Sequence, residues 1–219
     1  MTYDPTDPDD VLAEARTLAN VGRLGEALAC YEWYFANAVR IDRAHRGVRR
    51  SFVLSDWAKL GEVYPAARVS LIQQFTAAAE CAKETGEIEA FLDADATSDY
   101  LGMQEAFIDL LRDMMSRWPE IARKVYPEVI LRVIEQDRHR EFRALLGDPA
   151  PILRSEAFVL EDVLARKNSN PEFDRHGYAI ARFNRNCALL QAGYRDCGDM
   201  ATADSIEVAR KRVIERLTG

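Results

Sequence analysis

The sequence lacks the features of a membrane, secreted or catalytic chain. No window approaches 18 consecutive apolar residues, which argues against a membrane partner. The opening stretch MTYDPTDPDD is acidic and holds two prolines, without the basic start and apolar core of a signal peptide. Cysteine is scarce: the four residues Cys30, Cys81, Cys187 and Cys197 form no C-x-x-C pair. All but Cys197 lie in an apolar helical context, so a reducing, cytoplasmic location is expected. Histidine is scarcer still. His45, His139 and His176 stand far apart and outside any H-E-x-x-H motif, so a metal site would need a tertiary convergence that spacing does not reveal. A G-x-S-x-G elbow, a P-loop and a dinucleotide fingerprint are also missing. No catalytic residue, cofactor or metal ligand is therefore assigned, and the expected protein is not an enzyme.

Basic charge is in deficit. Lys and Arg number 29 against 36 Asp and Glu, a net charge of −7, which disfavours a general grip on a nucleic-acid backbone. The imbalance is uneven: residues 1 to 110 hold 19 acids and 10 bases, and residues 111 to 219 hold 17 acids and 19 bases.

What is abundant is apolar residues, 48% of 219, spaced by threes and fours. That period predicts an all-α protein of about ten to twelve helices. Asp9 or Asp10 is expected to cap a first helix, with Gly22 taking a left-handed position after it and a second helix covering about residues 25–38. A third is expected over about 48–60, ended by Gly61, and a fourth from Pro65. Gly86 should end the next. FLDADATSD is expected to be a capping-rich connection, followed by a helix over 100–117. Pro119 and Pro127 mark starts or kinks, and Pro151 opens a helix to about 166. KNSNPEFD is the most polar linker, a soft boundary near 167–173 within a single domain spanning 1–219. Two helices close the chain, at about 175–192 and 200–217.

LANVGRLGEAL at 18–28 aligns with WAKLGEVYPAA at 57–67, an offset of 39 residues that superposes Gly22 on Gly61. Weaker copies surround Gly86 and Gly198. The first copy resembles the tetratricopeptide repeat, a 34-residue helical hairpin, through Ala15, Leu18, Gly22, Leu24, Ala27, Leu28 and Tyr31. SFVLSDWAKLGEVYPAA is also similar to uncharacterised bacterial proteins of that type. Ser70 stands where the second unit would carry an aromatic, and Val39 where the first would carry its closing proline. The resemblance implies a right-handed array of antiparallel helix hairpins, a tetratricopeptide-like α-solenoid of irregular repeats. Its inner face would be lined by Arg16, Asn20, Ser55 and Lys59. Leu12 and Arg16 occupy the first Lys and Asn positions of the family's carboxylate clamp, so that clamp does not transfer. Trp57 is expected in the core.

VRIDRAHRGVRRS gathers Arg40, Arg43, His45, Arg46, Arg49 and Arg50. Guanidinium groups can hold a carboxylate or phosphate there, or pair with acidic faces of neighbouring helices. RVIEQDRHREFR interleaves Arg132, Arg138, His139, Arg140 and Arg143 with acids, the pattern of a solvated face. Asp93, Asp95, Thr97 and Asp99 fall at calcium-loop positions, but Ser98 replaces the loop's glycine and Gln104 its final glutamate, so helix capping is expected instead.

The leading expectation is a non-enzymatic scaffold or adaptor that binds a protein or peptide through Arg16, Asn20, Ser55 and Lys59, with Arg43, Arg46, Arg49 and Arg50 at the rim. The alternative is an acidic neutralising partner, immunity- or chaperone-like, of a basic protein. A helical hydrolase is the third class, without motif-spaced catalytic residues. A homodimer is compatible with each.

Overall fold

Asp7, rather than Asp9 or Asp10, opens the first helix: its side chain accepts a hydrogen bond from the Asp9 amide at 2.9 Å, and Pro8 occupies the first turn. The computed structural model describes residues 7–166 and 174–218, which are predominantly helical, with no strand among them. No helix among them is long and apolar enough to cross a membrane. The chain divides into two compact units, Met1–Trp118 and Pro119–Gly219. The linker expected near 167–173 lies outside the described residues.

The first unit holds α1 (Pro8–Asn20), α2 (Leu24–Ile41), α3 (His45–Val48), α4 (Leu54–Val63), α5 (Pro65–Thr85), α6 (Ile88–Leu101) and α7 (Gln104–Arg117). Val11, Ala15 and Leu18 form one buried stripe of α1, which packs on α2. Gly22 takes φ +80° between them. Between α3 and α4 the chain winds as a π-helix over Arg49–Val53, so His45 to Val63 is one continuous helical run.

Gly61 does not end a helix, contrary to expectation. It lies inside α4, where a β-carbon would stand 3.2 Å from the backbone of Arg68 on α5. The α4–α5 corner is instead made by Tyr64, extended at φ −131°, followed by Pro65. The core of this corner is Trp57, whose indole donates to the Ala67 carbonyl at 3.0 Å and meets the edge of Phe35 at 6.1 Å. Gly86 ends α5 at φ +72° beneath the Trp118 ring.

FLDADATSD is a second correction. It is not a connection but the body of α6, and Gly102 at φ +69° divides the helix expected over 100–117. The hydroxyls of Thr97 and Ser98 donate back to the carbonyls of Asp93 and Asp95, each at 2.7 Å, within their own helix.

The second unit holds α8 (Pro119–Glu135), α9 (Ala150–Ala165), α10 (Arg175–Asp196) and α11 (Met200–Thr218). Pro127 sits inside α8. Val125, Val129, Val133 and Ile134 are buried. Gly193 lets α10 approach α8 closely: a β-carbon there would fall 2.7 Å from the Ile134 side chain. Asp174 caps α10 through the Gly177 amide at 2.9 Å, and Tyr194 donates to the Gly147 carbonyl at 2.6 Å.

Candidate functional site

Helical periodicity places Arg16 and Asn20 four residues apart on one face of α1, and Lys59 three residues after Asp56 on α4. These four side chains converge on a cavity of about 340 Å³, completed by Ala19, Leu24, Tyr31, Leu60 and Val63. Leu60 and Tyr31 form its buried floor, while Val63 is 69% exposed at its edge. Arg16, Asn20 and Lys59 are exposed. Burial, reinforced by Asp56 and opposed by Arg16, pushes the Tyr31 phenol up to about 12, so the floor is uncharged at neutral pH.

Arg16 Nε donates to Asp56 Oδ2 at 2.8 Å. Both groups keep solvent contact, with side-chain exposures of 47% and 21%, so the pair holds about 1 kcal/mol or less. Arg16, Lys59 and the Asn20 amide offer donors, Asp56 and the Asn20 carbonyl offer acceptors, and the apolar floor accepts a side chain.

Ser55 is half-buried on α4 but does not line the cavity. Its neighbour Asp56 does, although the repeat alignment does not single it out. Helical spacing carries the signal: Asp56, Lys59 and Val63 follow one another by three and four residues and share one stripe of α4.

None of Arg43, Arg46, Arg49 and Arg50 lines this cavity. Arg49 and Arg50 turn toward α6, which corrects their placement at a rim. Arg49 Nη2 reaches both Asp93 oxygens at 2.6 and 2.7 Å, and its guanidinium lies 4.8 Å over the Phe35 ring. Arg50 Nε donates to Asp93 at 2.8 Å while its Nη2 reaches Glu89 Oε2 at 2.7 Å. The two consecutive arginines that share this carboxylate open the π-helical segment Arg49–Val53. Burial pushes the Asp93 carboxyl up, with Arg49 and Arg50 opposing the shift. Arg46 pairs with Glu89 at 3.3 Å, and Arg43 is exposed in the turn before α3. His45 bonds the Tyr34 hydroxyl at 2.7 Å.

The second basic cluster is no solvated helical face. The helix α8 stops at Glu135, and His139 is buried in the turn beyond it, only 3% exposed. Arg138 pairs with Glu141, and Arg140 stands 3.4 Å from Asp196.

No protein family, curated protein or solved structure matches the chain. Its function is therefore read from the site.

Proposed function

We propose that the chain is a non-enzymatic, tetratricopeptide-like helical array of the cytoplasm that binds a segment of another protein through the α1–α2–α4 cavity. The observation that carries this reading is the convergence of Arg16 and Asn20 from α1 with Lys59 from α4, over the apolar floor of Tyr31 and Leu60. Two cations and an amide beside an apolar floor match an extended peptide that offers carbonyls, a carboxylate and one apolar side chain. Arg49 and Arg50 hold the α6 carboxylates and leave the grip to Arg16 and Lys59.

Affinity capture from cells that express the protein tests it. Full-length wild type and the Arg16→Ala/Asn20→Ala/Lys59→Ala variant are used as baits. Proteins retained by the wild type and lost from the variant support the reading; identical capture by both refutes it. Ser55→Ala serves as a control and should capture as the wild type does.

A further inference from the structure

We propose that Asp137, His139 and Asp196 form a binding site for a divalent first-row transition cation, of which Zn2+ is the best fit. One donor atom from each residue lies within 4.8 Å of the others. The imidazole is the decisive member. His139 is 3% exposed, and neither of its ring nitrogens has a hydrogen-bond partner. Its Nε2 stands 3.4 Å from Asp196 Oδ2, longer than an ordinary N–H···O bond. A buried polar ring without a partner is costly, and a cation between the ring and the carboxylate removes that cost.

The backbone supplies the rest. Asp137 follows the C-terminus of α8 and takes φ +54°, the one non-glycine residue with positive φ among the described residues. Asp196 is the last residue of α10, brought beside α8 by the close approach at Gly193. Both carboxylates thus sit at helix C-termini, where the macrodipole is already negative and favours a cation. Arg140, 67% exposed and 3.4 Å from Asp196, neutralises only part of this charge.

One imidazole and two carboxylates suit Zn2+ or its neighbours better than Ca2+ or Mg2+, which take all-oxygen shells. With metal–ligand bonds of about 2.1 Å, tetrahedral donors lie about 3.4 Å apart, the separation that His139 Nε2 and Asp196 Oδ2 already have, so only the Asp137 donor needs to close, by about 1.4 Å at most. Three protein ligands leave a fourth position for water.

The test is calorimetric titration of EDTA-treated, full-length protein with ZnCl2, repeated with MgCl2 and CaCl2, and optical titration with CoCl2. The expected result is one Zn2+ per chain, a raised Tm, and a cobalt spectrum of tetrahedral intensity. His139→Ala and Asp137→Asn should each weaken Zn2+ binding by about tenfold to a hundredfold or more. Asp137 is exposed, so Asp137→Asn keeps the test valid should His139→Ala fail to fold. His45→Ala/His176→Ala should bind as the wild type does. Absence of Zn2+ binding in the wild type overturns the proposal, as does undiminished binding by Asp137→Asn or loss of binding in the His45/His176 variant alone.

Discussion

Arg49 reaches 44 residues along the chain to Asp93, its Nη2 standing 2.6 and 2.7 Å from the two carboxylate oxygens, with both side chains nearly nine-tenths buried. Arg50 completes the network from the adjacent position. Removing Asp93 leaves two guanidinium groups inside the fold without their shared counter-charge. Asp93→Ala is expected to lower unfolding free energy by about 3–5 kcal/mol. The Arg49→Met/Arg50→Met/Asp93→Leu variant should recover much of that loss, since an apolar replacement removes the desolvation cost with the charges. Urea unfolding of the three proteins checks both statements.

That pair also explains why FLDADATSD, a helix, reads as a connection. Asp, Thr and Ser favour caps because their side chains compete for nearby backbone groups. Here Asp93 is engaged by two arginines distant in sequence, and Thr97 and Ser98 bond back along their own helix. A tertiary ion pair overrode a local preference, and no short window of sequence contains both partners. Where the cause was local the elements were legible: Gly22 and Gly86 take positive φ at helix ends, and Pro65 and Pro119 open helices. The candidate site divides the same way. The resemblance to a tetratricopeptide hairpin brings Arg16, Asn20 and Lys59 into view along with Ser55, which does not line the cavity, whereas the surroundings of Asp56 and His139 depend on which helix lies opposite.

Gly22 and Gly61 fall at the same place when residues 18–28 are aligned with 57–67, yet they do different work, which one substitution separates. Gly22 has φ +80°, and a β-carbon there would meet nothing within 4 Å, so Gly22→Asn should cost under about 1 kcal/mol, because Asn tolerates the left-handed region. Gly61→Asn pushes a side chain against the Arg68 backbone and should cost about 1–3 kcal/mol. Thermal or urea unfolding gives both values; equal losses would refute the distinction.

Stability should fall at alkaline pH. Burial pushes Cys187, Tyr31, Tyr34 and Tyr194 each up to about 12, from ordinary values of 9.0 for the thiol and 10.0 for the phenols. The folded form therefore keeps protons that the unfolded chain releases first. The contribution of these groups is complete below pH 9 and is lost progressively as pH rises to about 12. Tm followed by circular dichroism should be level up to pH 9 in this respect and decline beyond it. A Tm that rises over that interval contradicts the assignment.

The central claim is that the α1–α2–α4 cavity grips a partner through Arg16, Asn20 and Lys59. Its most direct test is the Kd of the captured partner, measured by calorimetry against the wild type and the Arg16→Ala/Asn20→Ala/Lys59→Ala variant. The expected weakening is at least about tenfold, or about 1.4 kcal/mol, with circular dichroism showing the variant folded. An unchanged Kd for a folded variant would contradict the account.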